Sequence, residues 1–278
     1  MIRIALLLLT ALSLTAQPRR IISTAPSITE ILYALGLGDR VVAVTTYCHY
    51  PEAAKSKPKI GTYLQPNFET ILSLKPDLVI VVKNPVRLAE RLREMRLNVI
   101  ELSGESLSGI AESIRRVGDA AQVPDRAAKL NAQMKADLEA IENRTRNTPR
   151  RSMIFVVSRT PGRLEQLMAV GESSFLNELI QIAGGENIFG KSGFSYPKIS
   201  LEQILTRNPE VIVDMGEMAE TTGVTEEQKQ AVVQLWKKYP SITGRVYAVA
   251  SDIFVVAGPR VVDAAREFAK MLHPELGF

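Results

Sequence analysis

Residues 67–80 read NFETILSLKPDLVI, and residues 200–213 read SLEQILTRNPEVIV. Each stretch predicts a short helix with a glutamate in its first turn, which ends before a proline and leads into a β-branched apolar strand. The same plan occurs once in each half of the chain. The sequence therefore predicts two similar lobes.

The two glutamates of this repeated plan, Glu69 and Glu202, have two interpretations. A carboxylate in the first turn of a helix is stabilised by the helix dipole, so both residues could serve their helices alone. The alternative is one exposed acidic group on each lobe, placed to meet a basic partner. The residues by themselves leave both interpretations open.

Strands and helices alternate along the chain on both sides of these stretches. We predict strands at residues 20–23, 41–45, 78–82, 98–102, 152–157, 211–214 and 245–249, with helices between most of them. Such alternation is typical of a largely parallel sheet covered by helices on both faces. The expected fold class is α/β, with two Rossmann-like lobes.

A charged helical stretch separates the two halves. Within residues 123–149 one face of a single long helix is formed by Ala127, Asn131, Met134, Leu138 and Ile141, at steps of four and three. This pattern favours a backbone helix that connects the lobes, with a coiled-coil arm as the alternative. The predicted organisation is residues 17–122 as the N-terminal lobe, 123–149 as the connecting helix and 150–278 as the C-terminal lobe.

Residues 1–16 have the composition of a secretory signal. One cation, Arg3, precedes an apolar run that is too short to span a bilayer, and small residues near Ala16 predict cleavage there. An uncleaved N-terminal membrane anchor is the alternative. Loss of Arg3 lowers the formal charge from +4 to +3, and the remaining basic residues are interleaved with acidic ones, which argues against a nucleic-acid partner.

The sequence contains few signs of catalytic chemistry. It has no Gly-rich phosphate loop followed by Lys and Ser or Thr, and no serine in a nucleophile elbow. Cys48 is the single cysteine, and the two histidines, His49 and His273, lack a metal-ligand spacing. We therefore expect no catalytic residues, no protein-bound metal and no resident cofactor.

Aromatic and polar residues occur instead in loops next to the predicted strands and helices. Tyr47 follows a strand, Tyr63 and Tyr196 precede the Glu69 and Glu202 helices, and residues 252–254 follow the last strand. In open α/β sheets, ligands bind beyond the carboxyl ends of the strands. The sequence therefore predicts a ligand cleft between the lobes that is walled by tyrosines.

Several motifs closely resemble the helical-backbone, or class III, periplasmic solute-binding proteins of ABC importers, and within them the cobalamin-binding branch. The matching segments cover nearly the whole chain after residue 19. They are RIISTAPSITE at 20–30, ALG at 34–36, YCHYP at 47–51, LKPDLVI at 74–80, AGGEN at 183–187 and GPR at 258–260.

The resemblance implies a periplasmic protein, expected to be a monomer, that captures a corrinoid such as vitamin B12 and delivers it to a permease in the inner membrane without catalysing a reaction. It also implies that Glu69 and Glu202 dock on arginines of the permease. By the same resemblance the corrinoid cleft is lined by Tyr47, Tyr63, Tyr196, Asp252 and Phe254.

Other ligands and another class of protein remain open. Haem and ferric siderophore carriers share this architecture, and Arg159 and Arg163 are candidates for the cations that an anionic chelate requires. An exported α/β enzyme is the alternative from a different class, with Asp252 and Tyr47 as acid and base groups, although it lacks a pair of nucleophile and base.

Overall fold

The computed structural model describes residues 17–104, 106–216 and 223–278. The signal segment predicted at residues 1–16 lies outside this part of the chain. Within the described residues, no helix combines the length and the hydropathy that crossing a bilayer requires.

The N-terminal half forms a parallel sheet with helices on both faces. In chain order its elements are β1 (Ile21–Ser23), α1 (Pro26–Ala34), β2 (Val41–Ala43), α2 (Glu52–Lys55), α3 (Phe68–Ser73), β3 (Leu78–Val82), α4 (Leu88–Glu94), β4 (Val99–Leu102) and α5 (Leu107–Ala120). The strand order is β2-β1-β3-β4, and every pairing is parallel. The order reverses between β1 and β3, which places a topological switch point there.

The C-terminal half begins after a long helix, α6 (Pro124–Thr145), and repeats the plan. Its elements are β5 (Arg151–Ser158), β6 (Met168–Ala169), α7 (Phe175–Ile182), β7 (Gly185–Asn187), α8 (Leu201–Arg207), β8 (Val211–Asp214), α9 (Glu226–Lys237), β9 (Arg245–Ala248) and α10 (Val261–Leu272). The strand order is β6-β5-β8-β9, with β7 also paired to β5. Only β6 pairs antiparallel among the strands described.

Each sheet buries both of its faces. In β3, Leu78 and Ile80 join one core cluster while Val79 and Val81 join another, as the alternation of side chains along a strand requires. The first of these clusters is shared by both lobes and α6. The lobes are therefore joined through a continuous apolar core as well as through the chain.

Helix α6 is one uninterrupted element of 22 residues, which corresponds to about 33 Å at 1.5 Å per residue. Ala127, Met134, Leu138 and Ile141 are buried along one face, as their spacing predicts. This face packs on α5 of the N-terminal lobe and on α7 and α10 of the C-terminal lobe. The predicted fold class, with two α/β lobes joined by one backbone helix, is confirmed.

Candidate ligand-binding cleft

A cavity of about 510 Å³ lies between the two lobes. On the N-terminal side it is bounded by the ends of β3 and β4 and by the first turns of α1, so it lies at the switch point of that sheet. Its two walls differ in character. The N-terminal wall combines apolar residues with polar ones, whereas the C-terminal wall is mostly apolar. The polar residues of the N-terminal wall are Ser27, Tyr63, Lys83, Ser103 and Ser113, its apolar ones are Pro26, Ile31, Val82 and Leu102, and the C-terminal wall consists of Phe175, Tyr196, Val255, Val256 and Ala257.

Tyr63 lies at the tip of a tight turn and is fixed by two hydrogen bonds. Its hydroxyl donates to the carbonyl of Lys83 at 2.9 Å, and the side-chain amide of Asn84 donates to its carbonyl at 3.4 Å. The turn depends on Gly61, whose φ is +87° and whose Cβ, if present, would lie 2.4 Å from the carbonyl oxygen of Gln65. The ring is therefore held on the cavity wall by the end of β3.

Tyr196 lies on the facing wall, in a loop that is anchored to the segment after β6. The hydroxyl of Ser174, the residue that caps α7, donates to the Tyr196 hydroxyl at 3.3 Å. The amide of Gly171 donates to the carbonyl of Ser195 at 2.8 Å, and a Cβ at Gly171 would lie 2.2 Å from the Phe194 carbonyl oxygen. The structure thus brings Tyr63 and Tyr196 together across one cleft.

The other three residues predicted to contact the ligand lie away from this lining. Tyr47 is 59% exposed in the loop after β2. Phe254 is 2% exposed and packs against Phe155 and Phe268, with ring centroids 5.4 and 5.2 Å away. Asp252 forms an ion pair with Arg260, with 2.9 Å between Oδ2 of Asp252 and Nη2 of Arg260. In this structure Phe254 therefore supports the C-terminal wall from behind and does not face the cavity.

An ion pair beside the cavity joins the two lobes, and no role was predicted from the sequence for Glu30 or Arg260. Arg260, at the start of α10, donates through Nε to Glu30 of α1 at 3.1 Å and through Nη2 to the other oxygen of the same carboxylate. The guanidinium also stacks on the ring of Tyr50, with 3.9 Å between Cζ and the ring centroid. Both residues occur in the quoted motifs, but a motif cannot show that two positions 230 residues apart meet.

Burial is the largest single influence on the pKa of each member of this pair. Glu30 is only 4% exposed, and this burial raises the pKa of its carboxyl, against the opposing effect of Arg260. Burial also acts to lower the pKa of Arg260, but the hydrogen bonds to Glu30 and Asp252 outweigh it and leave that pKa raised. The guanidinium stays charged and stabilises the ionised form of a carboxylate that burial disfavours.

The arginines proposed as cations for an anionic chelate are not on the cavity wall. The side chain of Arg159 is fully buried and forms an ion pair with Asp214 at 2.9 Å, while Asp214 also accepts a hydrogen bond from the indole of Trp236 at 2.6 Å. Arg163 is exposed on another face of the C-terminal lobe, where its Nη1 lies 3.7 Å from Oε1 of Glu165. Neither contributes a charge to this cleft.

The two glutamates of the repeated plan are exposed in the first turns of α3 and α8. Capping in each helix is performed by another residue. Asn67 caps α3 by accepting from the amide of Thr70, and Ser200 with Gln203 forms a capping box on α8. Glu69 and Glu202 are therefore available on the surface, one on each lobe.

No cluster of three or more His, Cys, Asp or Glu side chains suited to a metal ion occurs among the residues that the structure describes. The cleft thus offers aromatic faces, hydroxyl groups and one ammonium group. Such a lining binds a ligand through packing and hydrogen bonds.

Comparison with known proteins points to one family. The family model described as "Periplasmic binding protein" matches residues 21–249. A vitamin B12-binding protein of Yersinia pestis (strain Pestoides F) is 31% identical over 272 residues, which cover 96% of this chain and 91% of that protein.

Two solved structures are similar over almost the whole chain. A periplasmic heme-binding protein from Roseiflexus sp. RS-1, in its apo form, has a TM-score of 0.77 and 26% identity, with 93% of this chain and 99% of that one covered. The periplasmic vitamin B12-binding protein of Vibrio cholerae has a TM-score of 0.72 and 26% identity, with 94% and 99% covered.

Proposed function

The chain belongs to the periplasmic binding protein family, and on that premise we propose that it captures cobalamin in the cleft between its lobes and delivers it to an ABC importer permease of the inner membrane. The observation that carries the choice of ligand is the similarity, over nearly the full chain, to proteins that bind vitamin B12. The predicted signal segment would direct the protein to the periplasm.

The cleft supports a large flat ligand. Tyr63 and Tyr196 lie on facing walls and are each fixed by hydrogen bonds, so their rings present rigid apolar surface at little entropic cost. The cavity volume of about 510 Å³ is within the range of small-molecule sites. In this proposal Tyr47 and Asp252 act at the rim of the cleft, the protein catalyses no reaction, and it carries no cofactor of its own.

Haem is the second candidate ligand, and a specific observation favours it. The heme-binding protein of Roseiflexus superposes with the higher TM-score at the same identity as the vitamin B12-binding protein of Vibrio cholerae. Architecture alone therefore does not separate the two ligands. The proteins that are similar in sequence over nearly the whole chain bind vitamin B12, and for this reason we favour cobalamin.

Titration calorimetry of the purified mature protein with cyanocobalamin and with hemin tests the ligand directly, and absorbance spectra of the same samples report the bound chromophore. We expect tight, one-to-one binding of cyanocobalamin and at least hundredfold weaker binding of hemin. The reverse order would replace cobalamin by haem in the proposal.

Docking on the permease is assigned to Glu69 and Glu202, because both are exposed, lie at equivalent places on the two lobes and are not needed as caps. The double variant Glu69→Lys with Glu202→Lys reverses both charges. We expect it to abolish cobalamin uptake into proteoliposomes that contain the permease, while calorimetry shows an unchanged affinity for cyanocobalamin.

A suitable control reverses two other exposed glutamates, Glu139→Lys on α6 and Glu226→Lys on α9, and should transport normally. Normal uptake by the double variant at Glu69 and Glu202, or an equal loss of uptake by the control, would refute the docking assignment.

A further inference from the structure

The cleft has an asymmetric distribution of charge. Among the described residues that line it, Lys83 is the one charged side chain. The ion pairs found between described residues do not include it. The facing wall, formed by Phe175, Tyr196 and residues 255–257, is apolar except for the hydroxyl of Tyr196.

The backbone around Lys83 is fixed on two sides. Its amide donates to the carbonyl of Leu102 at 2.9 Å, and its carbonyl accepts the hydroxyl of Tyr63 at 2.9 Å. Because Val82 pairs with Leu102 in the parallel register of β3 and β4, the next residues along these strands, Lys83 and Ser103, lie side by side. Both residues line the cavity at the carboxyl ends of two neighbouring strands, and Lys83 is exposed to solvent.

Ligand binding removes water from such a site. A neutral ligand that covered Lys83 would leave the ammonium group partly desolvated without a counter-charge, which costs free energy. An anionic group next to the ammonium and the hydroxyl would instead form charge-assisted hydrogen bonds. The lining of the cleft therefore favours a ligand that has one anionic, hydrogen-bonding side and one apolar side.

We propose that Lys83 and Ser103 form an anion-binding subsite in the cleft, which recognises the phosphodiester of a complete corrinoid and so orients the nucleotide side of the ligand towards the N-terminal lobe. This inference rests on the proposed function. The shared chemistry is a single anionic oxygen group, and a haem propionate would present the same chemistry.

The test compares two corrinoids that differ in this group. Cyanocobalamin carries the nucleotide and its phosphodiester, whereas dicyanocobinamide lacks both. We expect Lys83→Gln to weaken cyanocobalamin binding about tenfold in calorimetry and to change dicyanocobinamide binding less than twofold. Raising the salt concentration should weaken cyanocobalamin binding by the wild type more than by the variant, because screening acts on the charge contact.

The matched control is Lys129→Gln, an exposed lysine on α6 outside the cleft, which should bind both corrinoids as the wild type does. Thermal unfolding of each variant without ligand checks that the fold is kept. An equal loss for both corrinoids, or no loss for either, overturns the anion subsite.

Failure of the proposed function gives a different pattern. If the wild type binds hemin and neither corrinoid, the ligand assignment is wrong, and the subsite is then tested with hemin and its dimethyl ester. A loss on Lys83→Gln that is confined to free hemin would keep the anion subsite with a carboxylate as its ligand. Equal effects on hemin and the ester, or a wild type that binds none of these ligands, would overturn the subsite.

Discussion

Replacing Arg260 by Met should separate the roles of the ion pair that joins the lobes. In the native structure the guanidinium binds both oxygens of Glu30 and stacks on Tyr50, so one side chain of the C-terminal lobe contacts two residues of the N-terminal lobe. Methionine keeps much of the length and apolar stem of arginine. The substitution therefore removes the charge and its hydrogen bonds with little change in packing.

The expected cost follows from burial. The side chain of Glu30 is 3% exposed and that of Arg260 17% exposed, so removing the cation leaves a carboxylate that water can hardly reach. Breaking a buried pair by removing one partner typically costs about 3–5 kcal/mol. Losing the contact with Tyr50 adds about 0.5–1 kcal/mol. Since Glu30 can take up a proton instead of staying charged, we expect a loss of about 3 kcal/mol at pH 7.

The assay is urea unfolding, followed by the fluorescence of Trp236, the single tryptophan of the sequence, and by far-ultraviolet circular dichroism. Arg266→Met is the matched control, because Arg266 on the same helix forms an exposed pair with Asp263 at 2.9 Å. That control should cost less than about 0.5 kcal/mol. The double variant Glu30→Gln with Arg260→Met should recover about 2 kcal/mol relative to the sum of the single variants.

The destabilisation caused by Arg260→Met should also depend on pH, and the direction of that dependence is set by the buried carboxyl of Glu30. Burial raises the pKa of Glu30 above its ordinary value of 4.5, and the loss of Arg260 raises it further. With a raised pKa in the folded state, the contribution of Glu30 to stability is present below pH 4.5 and is lost as the pH rises through the folded-state value. The gap between Arg260→Met and wild type should therefore be smallest in acid and widen towards neutrality. Additive effects in the double variant, or a gap that does not change with pH, would refute this account.

Two further predictions concern the cleft and the connecting helix. Tyr63→Ala and Tyr196→Ala should each weaken corrinoid binding by about ten- to hundredfold in calorimetry, because each variant loses one aromatic wall contact worth about 1–3 kcal/mol. Thermal unfolding of the free protein should shift by only a few degrees. Unchanged binding by both variants would show that the ligand binds elsewhere. Lys135→Gly with Ala136→Gly, at two exposed positions of α6, should destabilise that helix by about 2 kcal/mol. In small-angle scattering, the change in radius of gyration on ligand binding should then be larger than in the wild type. An equal change in variant and wild type would contradict a stiff connecting helix.

The predicted elements that match the structure are those with strong local signals. The strands at 78–82 and 211–214 begin and end where the sequence predicts, because each is an apolar β-branched run preceded by a proline. Helix α6 follows from its stripe of apolar residues. The short strands β6 and β7 were not predicted, because they span two and three residues and exist only through pairing with β5.

The candidate site was only partly predictable for a similar reason. Tyr63 and Tyr196, which the sequence places in loops before the Glu69 and Glu202 helices, both line the cavity, and their contact with a ligand stays a prediction. The burial of Phe254 could not be read from the sequence, since it depends on Phe155 and Phe268, which lie far away along the chain. The ion pair of Glu30 and Arg260 is likewise a contact between lobes. Local patterns predict elements, but contacts between distant elements are set by packing.

The two walls of the cleft belong to different lobes, so a ligand that contacts both also holds the lobes together. Its binding free energy adds to that of the Glu30–Arg260 pair and of the core shared through α6. A ligand at a free concentration of one hundred times its Kd adds about 2.7 kcal/mol to the folded state. This is close to the loss expected for Arg260→Met, so saturating cyanocobalamin should return that variant to nearly the stability of the free wild type. Such compensation would require that the variant still brings Tyr63 and Tyr196 to the same ligand, and a variant that gained no stability would show that the ion pair sets the spacing of the walls.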